Sequence, residues 1–237
     1  MKIVFTPEWF LGSDVSIEIF SFVILILISI LAFKNYKLSE KKSTLHLGLG
    51  FLLIALAELA SIAAKFPIYY DFGVVQNIGS AVVNYDIVRT VDVFYYICFF
   101  FSRFLTLLGL YVLYKLPLEK ISGEFFLYVY FITIISIMSQ SFYYIYNFTA
   151  LIIIIFIINK YYKIYLKEKI RNTKILVLAF AILGVAQIIF LFSKLAVVYV
   201  AGQTMQLIAY IALLMLIIRI IQDGKKEKPG GNHSRHA

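Results

Sequence analysis

Seven long apolar runs dominate this chain and restrict it to one class of fold. They lie at residues 15–33, 44–65, 89–114, 122–138, 142–159, 174–193 and 197–221. All are continuously apolar and lack the alternating, roughly ten-residue segments of a transmembrane β-barrel. A bilayer core about 30 Å thick needs about 20 residues of helix, and a helix satisfies its own backbone hydrogen bonds in lipid. The sequence therefore predicts an all-α polytopic membrane protein, a seven-transmembrane-helix bundle over residues 1–222.

Composition excludes the main soluble classes. Of the 237 residues, 62% are hydrophobic and 15% are charged, whereas soluble domains contain about 45–50% apolar and 25% charged residues. A water-soluble chain of this length could not bury so much apolar surface, which excludes a soluble enzyme, a disordered chain and a free nucleic-acid-binding domain. The net charge of +9 lies mostly between the apolar runs, where it is typical of topology signals and lipid-headgroup contacts.

The distribution of lysine and arginine predicts the orientation. With seven spans, 17 of these residues follow spans 1, 3, 5 and 7, and four, Lys2, Lys65, Arg89 and Lys194, lie on the other side. Because cytoplasmic segments carry the excess of basic residues, we expect the N-terminus outside and the C-terminus in the cytoplasm. The composition, rich in Ile, Lys and Tyr and poor in Cys, favours the plasma membrane of a prokaryote.

Three features of the connecting segments complete the predicted topology. The longest connection, 66–88, is too apolar for a solvated linker and is expected to fold over the outer mouth of the bundle. The polar tail 223–237 is predicted to be a disordered cytoplasmic segment. We place tight turns at 139–141 and at Ser193-Lys194 rather than at Gly202, because this choice gives spans of suitable length.

Several polar side chains fall within the spans, where an ionisable group costs at least about 2.5–3.5 kcal/mol. At about 1.5 Å per residue, Glu58, Gln187 and Gln206 lie roughly 5 Å outward of mid-span on three different helices. Arg103 lies roughly 2 Å inward of mid-span on a fourth helix. Because an arginine side chain can reach that far, we expect a Glu58–Arg103 pair at the centre of an interior polar network.

Helical spacing adds further residues to this network. Gln203, Gln206 and Tyr210 share one stripe of the last span, and Asp92 and Arg103 lie three turns apart on one stripe of the third. The predicted ligand-binding or buried-network residues are Glu58, Arg103, Gln187, Gln206, Gln203, Tyr210 and Asp92.

A second, shallower polar set near the outer ends of the spans is predicted to comprise Asp92, Lys194 and Lys65. Three interpretations of the buried polar residues are open at this point. They could hold helices in register, since glutamine often joins helices in membranes. They could line a pocket for a ligand or solute in the outer half, or they could form a proton or ion path.

The sequence lacks the motifs of membrane-embedded catalysis. Two of its three histidines lie in the tail 223–237, which disfavours a haem pair or a three-histidine zinc site. The single cysteine, Cys98, allows neither an intramolecular disulfide nor a cysteine-based metal site. Span 197–221 contains no lysine for a retinal Schiff base. We therefore expect a protein that is not an enzyme and that has no cofactor or metal.

Basic and aromatic residues alternate between the fifth and sixth spans, in the segment 160–174. Beside a bilayer this composition favours contact with anionic lipid headgroups at the cytoplasmic face. The same 160–174 loop and the tail are the surfaces expected to contact a protein partner, and no nucleic-acid partner is expected.

Two short stretches resemble small, uncharacterised seven-span membrane proteins of archaea. They are the opening Phe5-Thr6-Pro7-Glu8-Trp9-Phe10 and, in the last span, Gly202-Gln203-Thr204-Met205-Gln206-Leu207-Ile208-Ala209-Tyr210. Those proteins often have histidine and glutamate where this chain has Gln203 and Gln206. The resemblance extends loosely over the whole chain and implies a seven-span fold but no activity.

Together these features favour a receptor-like or sensory membrane module that binds a small or lipid-like ligand in an outer-half polar pocket and acts through a partner. One alternative is a small-solute or proton-coupled transporter with Glu58 and Asp92 as carriers, although the spans lack the glycine- and proline-broken helices typical of such sites. The other alternative is a non-catalytic scaffold or subunit whose polar layer only sets helix packing.

Overall fold

The computed structural model describes residues 6–40, 42–69, 81–115, 124–169, 171–193 and 195–226, and all regular secondary structure in this part of the chain is helical. A short 3₁₀ turn at Glu8–Phe10 precedes seven α-helices. They are α1 (Ser13–Ser39), α2 (Lys42–Tyr69), α3 (Ala81–Lys115), α4 (Glu124–Met138), α5 (Tyr143–Glu168), α6 (Arg171–Leu191) and α7 (Ala196–Lys226). The prediction of an all-α fold is confirmed for the described residues, and their long apolar helices are consistent with a helical membrane bundle.

Six of these helices are long and apolar enough to cross a membrane, and α4 is the shorter one. Its 15 residues extend about 22 Å at 1.5 Å per residue, less than the hydrocarbon core of a typical bilayer. The chain turns at 139–142 between α4 and α5 and at 192–195 between α6 and α7. Gly202 lies within α7.

Several helices extend beyond the apolar runs that predicted them. Helix α5 continues to Glu168 and α6 begins at Arg171, so the segment 160–174 is mostly helical rather than a loop. Helix α7 includes residues 223–226 of the expected tail, and the rest of that tail lies outside the described residues. Hydropathy marks the part of a helix inside lipid, whereas backbone hydrogen bonding continues into the water-facing turns.

The connection 66–88 is also shorter than predicted. Helix α2 continues to Tyr69 and α3 already begins at Ala81. The remaining residues, 70–80, lie outside the described part of the chain, and so does Lys194. The expected cover over the outer mouth therefore stays a prediction for residues 70–80.

The six long helices close into a ring. Going around it, α1 packs against α2, α2 against α3, α3 against α5, α5 against α6, α6 against α7, and α7 against α1. Helix α4 lies outside this ring, where it packs against α3 and α5. The ring therefore surrounds an interior space that side chains of its six helices can line, and α4 does not border this space.

Helix α4 returns the chain along the outside of the ring, so that α3 and α5 run in the same direction. Near the ends of both helices, Lys160 Nζ of α5 donates a hydrogen bond to the Tyr114 carbonyl oxygen of α3 at 2.6 Å. The start of α4 lies at the same level, where the rings of Phe125 and Tyr111 are 6.2 Å apart. After α4, Gln140 donates to the carbonyl oxygen of Tyr96, which lies near the middle of α3.

The two ends of the bundle differ in their packing. We call the end at which α1 begins the N-terminal end, and the end at which α1 finishes the C-terminal end. Toward the C-terminal end the interior is filled by fully buried apolar side chains, among them Phe51, Leu107, Ile157, Phe180 and Leu213. Glu58, Gln187 and Gln203 are buried in the N-terminal half, whereas Ser29, buried in the C-terminal half, donates to the Gly48 carbonyl oxygen.

Candidate ligand-binding cavity

A cavity of about 150 Å³ lies in the N-terminal half of the bundle, and most of the residues that the sequence indicated line it. Of the seven predicted site residues, six line it: Glu58, Arg103, Gln187, Gln203, Gln206 and Tyr210. Asp92 is not among the lining residues. These six side chains come from α2, α3, α6 and α7, so residues distant in sequence meet at one depth.

Helix α7 holds the carboxylate of Glu58. Gln206 Nε2 donates to Glu58 Oε1 at 2.8 Å, and Tyr210 Oη donates to the same oxygen at 3.2 Å. Gln206 and Tyr210 are four residues apart, so both project from one face of α7, and the amide also donates to Tyr210 Oη at 3.0 Å. Among the described residues, no donor reaches the second oxygen, Oε2, of Glu58.

The expected Glu58–Arg103 ion pair is not formed. No carboxylate oxygen of the described residues lies within 4.0 Å of the Arg103 guanidinium nitrogens. The guanidinium carbon lies instead 4.0 Å from the ring centre of Tyr146 on α5 and 4.9 Å from that of Phe99, one turn earlier on α3. The physical reason is that α7 supplies two neutral donors to Glu58, while aromatic faces stabilise the cation.

A second charged cluster lies nearer the N-terminal end. Lys65 Nζ of α2 lies 2.7 Å from Asp14 Oδ2 and 2.8 Å from Glu18 Oε1, both on α1. Ser61 also donates to Glu18 Oε1, at 3.0 Å. Lys65 therefore contacts two carboxylates of α1 rather than the predicted Asp92, and the other residue predicted for this set, Lys194, lies outside the described residues.

Matching spacings on two adjacent helices could have revealed this cluster. Asp14 and Glu18 are separated by four residues on α1, and so are Ser61 and Lys65 on α2. When two antiparallel helices pack side by side, such i, i+4 pairs can face each other as a set of four. Both spacings are visible in the sequence, whereas the packing of α1 against α2 that brings the two pairs together is seen only in the structure.

Two amides and a phenol extend the polar lining toward α6. Gln203 donates to Tyr199 Oη at 3.1 Å, and Asn147 donates to the Phe190 carbonyl oxygen at 3.3 Å. Gln187 is 6% exposed, and its Oε1 has no hydrogen-bond partner among the described residues. A buried amide oxygen without a donor costs about 1–3 kcal/mol, so Gln187 is a site where a bound molecule would gain a hydrogen bond.

Residues before α1 contribute to the N-terminal end of the cavity. Thr6 is one of the lining residues, and Phe10 of the following 3₁₀ turn is buried. Thr6 Oγ1 donates to Asp14 Oδ2 at 3.1 Å, the oxygen that also accepts from Lys65. The charged cluster therefore connects the segment before α1 to α1 and α2.

The polar and aromatic groups of the lining are suited to hydrogen bonds and charge pairing with a small molecule. Within the described ranges, no group of three or more His, Cys, Asp or Glu side chains is placed to hold a metal ion. The lining instead combines carboxylates, cations, amides and aromatic rings around one cavity, the mixture typical of sites that orient a small molecule.

Comparison with known proteins adds no assignment: no protein-family model, no curated protein and no solved structure matches this chain. The resemblance to archaeal seven-span proteins therefore stays a prediction, and the cavity is the basis on which a function can be proposed for this protein.

Proposed function

We propose that this protein is a receptor-like membrane module that binds a small ligand in the N-terminal cavity and acts through a partner. The observation that carries the proposal is the cavity itself, where polar side chains from separate helices surround about 150 Å³ of space. A polar layer used only for packing would pair its groups with one another, whereas Arg103 and Gln187 face this space without hydrogen-bond partners among the described residues.

The orientation that we propose places the cavity toward the outside, with seven crossings, the N-terminus outside and the C-terminus in the cytoplasm. The alternating helix directions bring the basic residues at the ends of α1, α3, α5 and α7 to the C-terminal end of the bundle. The positive-inside rule then assigns that end to the cytoplasm. Although α4 is short, it supports this count because it runs beside α3 from the level of Tyr111 to that of Tyr96, opposite in direction to α3.

The packing below the cavity supports binding rather than passage. Phe51, Leu107, Phe180 and Leu213 are each at most 1% exposed and fill the C-terminal half. A transport pathway would have to open through this layer. The proposed ligand would instead enter and leave at the N-terminal end.

The C-terminal end provides the surface for the proposed partner and for anionic lipid. Helix α5 extends past its apolar run, with Lys163 and Lys167 exposed, and Lys174 is exposed at the start of α6. Such a basic, helical surface suits contact with anionic headgroups or an acidic partner segment at the cytoplasmic face.

Native mass spectrometry of the protein extracted from its expression membrane tests ligand binding without assuming a ligand class. We expect a co-purified small molecule in the wild type and its loss in Ala57→Leu, because Ala57 is buried and lines the cavity. Leu59→Phe, on the exposed outer face of the same helix, is the matched control and should retain the molecule. An empty wild-type protein, or retention in Ala57→Leu, would contradict the proposal.

Proteoliposome uptake distinguishes binding from transport. If solute accumulation follows an imposed pH gradient and disappears in Glu58→Gln, the protein is a transporter and the receptor-like proposal is wrong. We expect no accumulation, because the apolar layer separates the cavity from the C-terminal end.

A further inference from the structure

The lining of the cavity carries equal numbers of negative and positive side chains, and not all of them form ion pairs within the protein. Its charged residues are two carboxylates, Glu18 and Glu58, and two cations, Lys65 and Arg103. Lys65 and Glu18 contact each other, and Asp14 adds a further carboxylate behind them. Glu58 and Arg103 do not contact each other. A bound molecule therefore meets the Glu58 carboxylate and the Arg103 guanidinium, which do not pair with each other, and beside them Glu18 Oε2, which has no hydrogen-bond partner among the described residues although Lys65 contacts Oε1.

Arg103 is arranged as a site for an anion. Its guanidinium carbon lies 4.0 Å and 4.9 Å from the ring centres of Tyr146 and Phe99, and such cation–π contacts need no hydrogen bond from the N–H groups. None of these N–H groups donates to a described residue. A guanidinium edge matches a carboxylate with two parallel hydrogen bonds, so a carboxylate is the group that this side chain would bind best.

Glu58 is arranged as a site for a cationic donor. Both neutral donors of α7 bind Oε1, which leaves Oε2 without a donor among the described residues. Gln187 Oε1 on α6 also needs a donor. An ammonium group has three donors and a positive charge, and it would satisfy acceptors of this kind while neutralising the carboxylate.

The size of the cavity limits the molecule that can bridge these groups. An apolar cavity of about 150 Å³ holds one benzene molecule, so a space of about 150 Å³ here admits about six to eight non-hydrogen atoms. Neither a net anion nor a net cation would satisfy both walls, because each leaves one buried charge without a partner.

We propose that the ligand is a small zwitterion with one ammonium and one carboxylate group, held between Glu58 and Arg103. This inference deepens the proposed binding function and depends on it. The carboxylate is bound by Arg103, and the ammonium group is bound by Glu58 Oε2. Gln187 lies beside them as a neutral hydrogen-bonding group.

Calorimetric titration of the full-length protein in nanodiscs tests the charge requirement directly. The zwitterionic compounds are glycine, β-alanine and γ-aminobutyrate, which differ in the separation of their charges. The matched single-charge compounds for γ-aminobutyrate are butyrate and butylamine. We expect at least one zwitterion to bind about tenfold or more tightly than its matched carboxylate and its matched amine, because each loses one charge-assisted contact.

Two substitutions assign the two ends of the ligand. The zwitterion differs from the amine by its carboxylate, so we expect Arg103→Met to remove most of the difference in affinity between these two compounds. The zwitterion differs from the single carboxylate by its ammonium group, so we expect Glu58→Gln to remove most of the difference in affinity between those two. Arg103→Lys keeps the charge without the paired N–H groups and serves as the second variant if Arg103→Met does not fold. Arg219→Met and Glu40→Gln, which are outside the cavity lining, are the matched controls and should bind as wild type.

The outcomes separate this inference from the function on which it depends. A co-purified molecule with a single charge or none, bound in the cavity, would overturn the zwitterion and leave the binding function standing. Equal affinity for butyrate and γ-aminobutyrate would do the same. An empty protein that binds none of the compounds would overturn both.

Discussion

At the scale of single residues, the polar interior divides into groups that the protein satisfies and groups that it does not. Lys65 contacts one carboxylate oxygen of Asp14 and one of Glu18 in a compact cluster, while Glu18 Oε2 has no hydrogen-bond partner among the described residues. Glu58 accepts hydrogen bonds from two donors of α7, and the Arg103 guanidinium lies against the rings of Phe99 and Tyr146. Lys65 and Glu18 line the cavity together with Glu58 and Arg103, but only the first two form an ion pair with each other.

Removing the cation of the Lys65 cluster should destabilise the protein strongly. In Lys65→Met, two buried carboxylates lose their common counter-ion, and breaking a buried ion pair costs about 3–5 kcal/mol. The measurement is the midpoint of thermal unfolding in one detergent, with the exposed Lys163→Met as control. Adding Glu18→Gln and Asp14→Asn to Lys65→Met should recover much of the loss; an unchanged midpoint in Lys65→Met alone would contradict the cluster.

The phenol of Tyr210 should be a stabilising donor. Tyr210→Phe removes the hydrogen bond to Glu58 and the acceptor for Gln206, and a buried group left without its partner costs about 1–3 kcal/mol. We expect a lower unfolding midpoint than in Tyr162→Phe, whose side chain is largely exposed on α5. Equal midpoints would show that Glu58 does not depend on α7 for its hydrogen bonds.

At the scale of helices, small residues determine how closely neighbours approach. Helices α2 and α3 cross at Gly50 and Gly109, where a Cβ on Gly109 would lie 2.8 Å from the Gly50 carbonyl oxygen and 2.7 Å from Ile54 Cγ1. Close approach at small residues is a common basis of helix association in membranes. Glu58 on α2 and Arg103 on α3 therefore lie on adjacent walls of the same cavity.

The crossing makes Gly109 less tolerant of a methyl group than the other interior glycine of comparable burial, Gly184. Gly109→Ala should destabilise the protein by about 1–3 kcal/mol, because the clash is with backbone and cannot be relieved by a rotamer change. Gly184→Ala is the matched control, since its Cβ would meet nothing closer than 3.4 Å and alanine favours helix. Similar unfolding midpoints for the two variants would contradict the crossing geometry.

At the scale of the whole molecule, the closed ring of six helices and the peripheral α4 define an inside and two ends. The cavity lies in the N-terminal half of the bundle, the close-packed apolar side chains fill the C-terminal half, and the basic residues lie at the C-terminal end. These three asymmetries lie along the same axis. The proposed function therefore depends on which end of the bundle faces the outside of the cell.

Accessibility of introduced cysteines tests that direction. In a Cys98→Ser background, Trp9→Cys should react with a membrane-impermeant maleimide added to intact cells, because Trp9 is exposed at the N-terminal end. Lys163→Cys, exposed at the C-terminal end, should react only after the membrane is permeabilised. The reverse pattern would invert the proposed orientation, and labelling of both sites in intact cells would exclude seven crossings.

Much of this architecture could be predicted from hydropathy and residue spacing. Hydropathy located the apolar helices, and counting residues placed Glu58, Arg103, Gln187 and Gln206 at similar depths. Hydropathy could not locate the helix ends, since α5 continues for two turns beyond its apolar run. Asp92 shares a stripe with Arg103 yet does not line the cavity, since the cavity reaches only part of that stripe.

By itself the sequence determined which segments must be helices in lipid and how deep each polar residue lies along them, because backbone hydrogen bonding and the rise per residue are local properties. Only the tertiary structure decided the partners. Lys65 binds α1, Glu58 binds α7, and Arg103 meets Phe99 and Tyr146. Those choices depend on which helices adjoin and how each is rotated, and packing at sites such as Gly50 and Gly109 sets both through contacts between distant parts of the chain.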